Sequence, residues 1–532
     1  MINLHGKLLI GGAWLQGSGQ NTFVISPLTQ EPLEPGFHQA SMEQTRLAAQ
    51  AAADAFPDYA QTSPEQRAAF LESIALKIEA LGEDLLLRAN QETGLPLPRL
   101  TGERARTCGQ LRLFAEVVRE GSWVDARIDT ALPDRTPLPR PDLRRMLIPL
   151  GPVVVFGSSN FPLAFSVAGG DTASALAAGN PVIVKAHSGH PGTSEMIASA
   201  ILAAIQECGL PSGVFSMLHG RGQTIGLELV RQPAIKAVGF TGSHTAGRAL
   251  CDAAASRPDP IPVFAEMASL NPVFALPRLL EERGSAFAKG LFDSVTLGGG
   301  QFCTKPGLIL GIEGPAWKNM VEEFRRLVAQ GSATTMLNAG ILESYKNAKA
   351  TLCSRNGVHI LAESTRASDS SKTESLPAAG LISGDEFLAD PACGEIEVFG
   401  PFCLFVAAKS DVQLLEISAH LGGQLTATIH YSGGDDVLVK SLLHSATQRS
   451  GRIVFNGFPT GVEVCPSMHH GGPYPATSDT RFTSVGTAAM LRFARPVCLQ
   501  NVPETLLPEE LRSGNPRHIM RLVNNELTRK AW

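Results

Sequence analysis

Apolar and polar residues follow three successive patterns along the first part of the chain. Up to about residue 35, short apolar runs lie between Gly and Pro residues, which predicts short strands. Residues 41–56 and 64–91 are rich in Ala, Leu and Glu at helical spacing. A stretch at 133–145 that is rich in Pro and Arg then breaks the pattern, and we expect it to form an extended arm that leaves the domain body.

From residue 152 the chain alternates apolar runs with helical windows. The runs VVVF, PVIVK, VFSML and IKAVGF predict a parallel sheet with crossover helices. A second α/β segment extends from about 262 to 468, with apolar runs at LILGI, FCLFVAA, LTATIHY and RIVF and a polar loop at 363–378. Open parallel sheets bind ligands beyond the carboxyl ends of their strands, so chemistry is expected in the residues that follow each strand.

The composition narrows the class of protein. A chain of 532 residues exceeds the size of one hydrophobic core, so we expect two or three domains. A net charge of −5 offers no basic surface to a nucleic acid. The sequence has neither a secretory signal pattern nor an apolar stretch of membrane-spanning length, so we expect no membrane partner. Nine scattered cysteines fit neither a disulfide framework nor a zinc site, which indicates a cytoplasmic protein without a bound metal.

Cys303 is the cysteine whose surroundings suggest chemistry. It follows three consecutive glycines in GGGQFCT, and glycines allow the backbone to approach a ligand closely while leaving the sulfur unhindered. A lone cysteine is equally often a buried structural residue. The residues of this segment alone therefore leave a catalytic and a structural role open.

The chain resembles the aldehyde dehydrogenase superfamily over nearly its whole length. The segments that carry the resemblance occur in the order of that family: LLIGGAWLQGSGQNTFVISPLTQEPL, GPVVVFGSSNFPLAF, PVIVKAHSGHP, VGFTGSHTAGRAL, FAEMASLNP, GGGQFCTKPG and EVFGP. The resemblance implies an α/β protein with a Rossmann-type cofactor domain (1–122 and 147–261) and an α/β catalytic domain (262–468). It also implies a small β oligomerisation arm with a C-terminal segment (123–146 and 469–532), and hence a homodimer or homotetramer.

Three residues match the catalytic positions of the family. Cys303 matches the nucleophile that forms a thiohemiacetal and then a thioester, and Glu266 matches the general base that activates water. We expect the surroundings of Glu266 to raise its pKa. Asn160 matches the side-chain donor to the oxyanion, together with the backbone N–H of Cys303. The alternative interpretation of Glu266 is an ordinary surface acid near a strand end, and its place after the apolar PVFA argues against that. The alternative for Asn160 is a turn former.

The resemblance also implies a nicotinamide cofactor. Lys185 matches a ribose-binding lysine, and Ser188 stands where NAD-preferring relatives carry Glu, so we predict NADP as the cofactor with NAD possible. His187, Ser188 and Arg221 are the expected donors to a 2′-phosphate. The remaining expected contacts are the pyrophosphate turn and the nicotinamide side, namely Gly242, Ser243, Glu397 and Phe399.

The C-terminal third indicates the branch of the family and its small-molecule aldehyde substrate. GVEVCPSMHHGG and the sequence after it resemble α-ketoglutarate semialdehyde (2,5-dioxovalerate) dehydrogenases and NADP-dependent fatty aldehyde dehydrogenases. We expect 2,5-dioxovalerate, with a long-chain aldehyde as the alternative. His469, His470 and Arg481 are candidates to bind a substrate carboxylate. Acyl transfer to coenzyme A and an inactive cofactor-binding scaffold are rival interpretations, and Cys303 with Glu266 argues against both.

Overall fold

Three large β-sheets organise the protein in the computed structural model, which describes residues 4–532. The first part of the chain contains β1 (Leu8–Ile10), β2 (Ala13–Leu15), β3 (Asn21–Ile25), β4 (Pro32–His38), α1 (Met42–Ala60), α2 (Pro64–Ala80), α3 (Gly82–Thr93), α4 (Leu97–Glu120), β5 (Arg127–Asp129) and β6 (Leu143–Pro149). It continues with β7 (Val153–Phe156), α5 (Gly170–Ala177), β8 (Val182–Lys185), α6 (Pro191–Glu207), β9 (Phe215–Leu218), α7 (Leu227–Arg231), β10 (Ala237–Thr241), α8 (His244–Ala255) and β11 (Val263–Glu266).

The second part of the chain adds the remaining elements. They are β12 (Val273–Ala275), α9 (Pro277–Thr296), β13 (Leu308–Ile312), α10 (Pro315–Gln330), β14 (Thr334–Thr335), α11 (Ala339–Cys353), β15 (His359–Glu363), β16 (Glu374–Ser375), β17 (Ala378–Ser383), α12 (Gly384–Ala389), β18 (Phe402–Ala408), α13 (Asp411–His420), β19 (Gln424–His430), α14 (Asp436–Arg449), β20 (Ser450–Phe455), β21 (Ala494–Gln500), β22 (Arg521–Val523) and β23 (Glu526–Thr528).

The first sheet has the strand order β11-β10-β7-β8-β9-β1-β2. Strands β7 to β11 are parallel, and the β1–β2 hairpin adds antiparallel strands at one edge, through Leu9 and Met217. The central strands are buried on both faces because helices cover both sides, which explains their continuous apolar runs. The sequence prediction of a Rossmann-type parallel sheet is confirmed.

The second sheet has the order β15-β17-β18-β13-β12-β19-β20 and is parallel except for β15. Its two faces carry separate apolar cores, one around Phe402 and one around Phe324. The predicted second α/β segment is therefore present.

The third sheet joins two distant parts of the chain. Its order is β21-β6-β5-β22-β23, so residues near 127–149 pair with residues near 494–528. A small core around Ile128 and Leu511 supports it. Strands from the expected arm and from the end of the C-terminal segment thus share one sheet, whereas residues 469–485 lie elsewhere, and the division into domains stays a prediction.

Residues near 470–484 extend the first sheet instead. Strand β11 pairs with β10, so it belongs to the first sheet although it lies beyond the expected domain boundary at 261/262. Glu266 at its end forms an antiparallel bridge with Thr477, and the Met267 N–H donates to Ala476 O over 2.7 Å. The C-terminal segment therefore lies directly against the end of β11. None of the helices in residues 4–532 is both long and apolar enough to span a membrane.

Candidate active site

The strand ends of the first sheet meet at one edge. Thr241 at the end of β10 lies opposite Glu266 at the end of β11, and Phe156 at the end of β7 lies opposite Lys185 at the end of β8. Parallel strands bring their carboxyl ends to the same edge, which is where such sheets bind ligands. Two residues predicted from the sequence, Glu266 and Lys185, therefore occupy this edge.

A glycine turn presents Cys303 to that edge. Gly298, Gly299 and Gly300 all have positive φ, a conformation that glycine adopts at little cost. A Cβ on Gly300 would lie 2.2 Å from the carbonyl oxygen of Gly400, so this position also requires glycine for space. Asn271 fixes the far side of the turn, since its Nδ2 donates to the carbonyl oxygens of Cys303 (2.8 Å) and Lys305 (3.0 Å).

Cys303, His470, Glu266 and Ser484 form one cluster, which we call the thiol cluster. The Cys303 Sγ lies 3.5 Å from His470 Nε2, and the same nitrogen lies 3.1 Å from Glu266 Oε1. Ser484 Oγ donates to the other oxygen of Glu266. His470 and Glu266 are buried, with exposures of 0% and 3%, so His470 connects the thiol to the carboxylate away from bulk water.

The electrostatics of the thiol cluster differ from the sequence expectation. Burial acts to raise the pKa of Glu266, but the charge of His470 and hydrogen bonds from His470, Ser484 and Cys303 outweigh it, and the pKa lies below its ordinary value. The expected raised pKa of Glu266 is therefore wrong, because the sequence did not reveal these donors. Burial, followed by the charge of Glu266, raises the pKa of Cys303 well above its ordinary value. The resting cluster thus holds a thiol beside a carboxylate.

Asn160 lies next to the nucleophile. Its side-chain Nδ2 donates to the carbonyl oxygen of Gln301 over 3.0 Å. The backbone carbonyl oxygen of Asn160 accepts from Arg99 Nη2 over 2.7 Å. The amide is buried, and one N–H of the Nδ2 group is left over from the bond to Gln301. Asn160 is thus bonded to Gln301, two residues before Cys303, and its remaining N–H suits an oxyanion that forms at Cys303.

Two adjoining cavities open beside Lys185. The first cavity, of about 640 Å³, is lined by Lys185, Ser188, Arg221 and Ser243, among others. The second, of about 630 Å³, shares Lys185, Ser188 and Ser243 and adds His187 and Gly242. Cavities of this size suit an organic cofactor.

The polar residues of these cavities differ in what they offer a ligand. Burial lowers the pKa of Lys185 to about 8, and Arg221 is exposed at the rim. The Gly189 N–H donates to His187 Nδ1 over 3.0 Å, and burial lowers the pKa of His187 well below its ordinary value. His187 is therefore neutral, and it lines the second cavity rather than the first, which contains Arg221.

Two hydrogen bonds fix the turn before α8, one from Gly242 and one to Ser243. The Gly242 N–H donates to the carbonyl oxygen of Glu266 over 3.0 Å, so this amide is not free for an anion as the sequence suggested. The Ser243 hydroxyl caps α8 by accepting from the Ala246 N–H. The positive end of the 12-residue helix still faces the cavities, and that location favours a phosphate.

Glu397 and Phe399 lie on the loop that contacts the glycine turn. Burial raises the pKa of Glu397 to about 7, with the Lys305 charge opposing it. The charge of Glu397 also acts to raise the pKa of Cys303, which places the two groups in one electrostatic environment. Lys305 is held by the carbonyl oxygens of Val398 (3.1 Å) and Phe402 (2.6 Å), and Phe399 is half-buried.

The residues expected to bind a substrate carboxylate are placed differently. His470 is buried between the thiol and Glu266, so it is not at a cavity mouth. The Arg481 side chain is 76% exposed and pairs with Asp479, which excludes it from the thiol cluster. His469 is half-buried, and burial lowers its pKa. The assignments of His470 and Arg481 are corrected because the fold of the C-terminal segment could not be read from its composition, whereas the role of His469 stays a prediction.

Ligand atoms of Cys303, His470 and Glu266 all lie within 4.8 Å of one another, a spacing that a metal ion can bridge. The absence of a metal stays a prediction.

Sequence reasoning missed three residues that shape the site. Gln301 is fully buried and joins the glycine turn to Leu337, whose N–H donates to Gln301 Oε1 over 3.0 Å. Asn271 has a positive φ of 49° and supports the carbonyl of Cys303. Ser484 contacts Glu266 from 218 residues away. Gln301 and Asn271 stand inside segments that carried the resemblance, whereas no local signal identified Ser484.

The comparisons with known proteins establish the family. The model of the aldehyde dehydrogenase family matches residues 14–431. The chain belongs to the aldehyde dehydrogenase family, and it is an NAD(P)-dependent enzyme that acts on aldehydes.

Individual relatives are similar over the full length. Alpha-ketoglutaric semialdehyde dehydrogenase 2 of Azospirillum brasilense is 49% identical over 524 residues, which cover 98% of this chain and 99% of that protein. Alpha-ketoglutaric semialdehyde dehydrogenase of Acinetobacter baylyi is 48% identical over 532 residues, 99% of this chain and 100% of that one.

A solved NADP-dependent glyceraldehyde-3-phosphate dehydrogenase from Bacillus halodurans C-125, in complex with NADP, has the same fold. Its TM-score is 0.77 at 20% identity, covering 94% of this chain and 100% of that one. A 1-pyrroline-5-carboxylate dehydrogenase from Thermus with bound NAD also has a TM-score of 0.77 at 20% identity, with 93% of each chain covered.

Proposed function

We propose that this protein oxidises 2,5-dioxovalerate to 2-oxoglutarate, with NADP as the preferred hydride acceptor. The observation that carries the chemistry is the contact of Cys303 Sγ with His470 Nε2 at 3.5 Å, with Glu266 3.1 Å beyond. The choice of substrate is supported by identities of 49% and 48% to two alpha-ketoglutaric semialdehyde dehydrogenases over nearly whole chains.

The residues around the two cavities fit a nicotinamide dinucleotide. Lys185 and the start of α8 offer donors to ribose and phosphate, and Glu397 is an acceptor for ribose hydroxyls near Cys303. When bound, the cofactor supplies the acceptor for a hydride. Ser188 and Arg221 line the first cavity, which contains no carboxylate to repel a 2′-phosphate, and this supports NADP over NAD.

The first half of the reaction uses the thiol cluster. The Cys303 proton passes to the His470–Glu266 pair, and the resulting thiolate adds to the aldehyde carbon. Asn160 Nδ2 and the backbone N–H of Cys303 stabilise the oxyanion. Loss of hydride from the same carbon leaves a thioester on Cys303.

The second half removes the acyl group. Once the pair has released the thiol proton to solvent, Glu266 is ionised because its pKa is lowered, and it accepts a proton from a water molecule that attacks the thioester. The C–S bond breaks, the carboxylic acid is released, and the sulfur regains a proton. A hydrolytic base buried beside the thiol supports water, rather than coenzyme A, as the acyl acceptor.

A panel of aldehydes assayed with both cofactors tests the proposal. We expect kcat/KM to be highest for 2,5-dioxovalerate with NADP, and Cys303→Ala to lower turnover at least about 10³-fold, since nucleophile loss in a catalytic unit costs this much or more. Cys498→Ala, at an exposed cysteine of β21, is the matched control and keeps its activity. A higher kcat/KM for dodecanal than for 2,5-dioxovalerate would reverse the substrate assignment.

The third sheet suits assembly into a homodimer or homotetramer. Its edge strands β21 and β23 leave backbone groups unpaired within one chain, and Leu527 on β23 is 70% exposed. Edge strands of this kind pair with a second chain. Sedimentation of the purified protein measures the state, and a cytoplasmic location stays a prediction.

A further inference from the structure

The aromatic rings of Phe161 and Phe302 lie between Arg106 and the loop that carries Cys303. It is on α4, two turns after Arg99 on the same face of the helix. Its guanidinium packs over the ring of Phe165 at 5.1 Å and that of Phe161 at 6.0 Å. Phe161 in turn packs edge-on against Phe302, the neighbour of Cys303, with ring centroids 5.5 Å apart. These ring contacts thus connect Arg106 to Phe302, the residue directly before Cys303.

The Arg106 guanidinium is not hydrogen-bonded within the described residues 4–532. The side chain forms no ion pair there, and its buried Nε and Nη2 have no hydrogen-bond acceptor. Glu103 lies one helical turn before Arg106, and its Oε1 accepts from the N–H groups of Leu163 (2.8 Å) and Ala164 (3.0 Å). Its charge acts on Arg106, but no hydrogen bond joins the two side chains. Guanidinium N–H groups that are buried without an acceptor are costly, so Nε and Nη2 of Arg106 point to an acceptor supplied by a bound ligand.

The charge of Arg106 affects the pKa of the Cys303 thiol. Burial lowers the pKa of Arg106, and the charges of Glu103, Cys303 and Glu266 oppose that effect. In the other direction, Arg106 is the cation that opposes the rise in the pKa of Cys303. Together with the ring contacts through Phe161 to Phe302, this interaction places the guanidinium on the side of the site from which a substrate reaches Cys303.

Arg452 approaches the same sulfur from the second sheet. It lies on β20, and its two Nη groups donate to the carbonyl oxygens of Gly461 and Pro459, while the buried Nε has no acceptor. Burial lowers its pKa and the charge of Cys303 opposes that effect. Among the other arginines near the site, Arg492 pairs with Asp171, and Arg99 packs over Phe302 and donates through Nη2 to the backbone carbonyl oxygen of Asn160, while its buried Nη1 has no acceptor.

We propose that Arg106, assisted by Arg452, binds the carboxylate of an acidic aldehyde whose carbonyl carbon lies at Cys303. A guanidinium binds a carboxylate by paired, charge-assisted hydrogen bonds, which are strong where water is limited. The inference rests on the proposed function and deepens it: the substrate class is a short aldehyde with a carboxylate at the other end of the chain.

The test compares an acidic aldehyde with an uncharged one of the same length. In Arg106→Gln, we expect the ratio of kcat/KM for 2,5-dioxovalerate to that for pentanal to fall by about 30-fold, through KM. Arg106→Lys keeps the charge without the paired donors and is expected to lose less, and Arg452→Gln is expected to give a smaller fall than Arg106→Gln. Arg481→Gln, at an exposed arginine paired with Asp479, is the control and keeps the ratio.

Protection of the thiol gives a second readout that needs no turnover. Glutarate, which has carboxylates but no aldehyde, is expected to slow iodoacetamide alkylation of Cys303 in the wild type and in Arg481→Gln, and not in Arg106→Gln. An unchanged ratio with intact protection in both Arg106 variants would overturn the inference, and so would equal losses for both aldehydes. If Arg106→Gln does not fold, Arg106→Lys decides by the same two measurements. Preference of the wild type for pentanal would instead count against the proposed function itself.

Discussion

The first cavity and the thiol cluster are assembled in different ways. The first cavity is lined entirely by residues between 22 and 250, among them the ends of β7, β8 and β10 and the start of α8. The thiol cluster combines Glu266 from the first sheet, Cys303 from a turn before the second sheet, and His470 from the C-terminal segment, 167 residues beyond Cys303. The cavity is wide and partly exposed at Arg221, whereas His470 and Glu266 are buried.

This difference separates binding from chemistry. Exposed donors at a strand edge interact with a ligand through a polar medium, so each one contributes modestly and is screened by salt. Buried groups within 3.5 Å of one another interact strongly, and removing one changes the protonation of the others. Substitutions in the thiol cluster are therefore expected to change rate and pH dependence, and those around the cavity to change cofactor affinity.

Glu266→Gln is the largest expected effect among these substitutions. Turnover should fall by about 10²- to 10³-fold, since the base for hydrolysis is lost. Burial and then the negative charge of Glu266 raise the pKa of Cys303, so removal of that charge lowers the thiol pKa. At pH 8, below that pKa, the fraction of thiolate rises and iodoacetamide should alkylate Cys303 faster than in the wild type.

The exposed Glu281 on α9 provides the control, and Glu281→Gln should alter neither rate. Slower alkylation in Glu266→Gln would mean that proton transfer to Glu266 outweighs the effect of its negative charge on the thiol pKa, and the electrostatic account of the cluster would be wrong.

His470→Gln comes next in expected size. The link between thiol and carboxylate is lost, and we expect turnover to fall by about 10²-fold. His470 lowers the pKa of Glu266 against burial, so its removal raises that pKa. Because Glu266 acts when ionised, the loss of activity on acidification should begin at a higher pH than in the wild type. The pH profile of kcat measures this shift, and His420→Gln, at the exposed end of α13, should leave the profile in place.

The same contrast explains what the sequence predicted and what it did not. Lys185 follows an apolar run that local periodicity predicts as a strand, so it was expected at a strand end. The assignments of Ser243 and Glu266 came from the resemblance, and Glu266 was placed in the second α/β segment although β11 belongs to the first sheet. The position of His470 depends on the bridge between Glu266 and Thr477, a long-range pairing without a local signal. His470 was therefore expected to bind a substrate carboxylate, and the pKa of Glu266 was expected to be raised.

The charge of an arginine in the sequence also did not reveal whether that arginine lies near the site. Arg481 stood in the segment that indicated the substrate, but it pairs with Asp479 at the surface. Arg106 lies in an ordinary helical pattern, and only the packing of Phe161 and Phe302 brings it near Cys303. The chemistry of an isolated residue type could be read from the sequence, whereas its burial and its partners required the fold.

Arg221→Ala has the smallest expected effect and tests the role of the first cavity in cofactor binding. Arg221 lines the first cavity at its exposed rim, so loss of its charge should raise KM for NADP by about tenfold and leave KM for NAD within about twofold. Arg231→Ala, on α7 outside the cavity lining, is the matched control. An equal rise for both cofactors would show that Arg221 does not contact a 2′-phosphate.

Ionic strength distinguishes the two regions within one experiment. The Debye length falls from about 10 Å at 0.1 M salt to about 3 Å at 1 M, so an exposed charge such as Arg221 is screened while the buried thiol cluster is not. The difference in KM for NADP between wild type and Arg221→Ala should therefore shrink as salt is added. The turnover defect of His470→Gln should stay constant over the same range, because His470 and Glu266 interact at 3.1 Å with exposures of 0% and 3%. A salt-dependent His470 defect would mean that water reaches the cluster, and the buried charge relationships drawn above would then not hold.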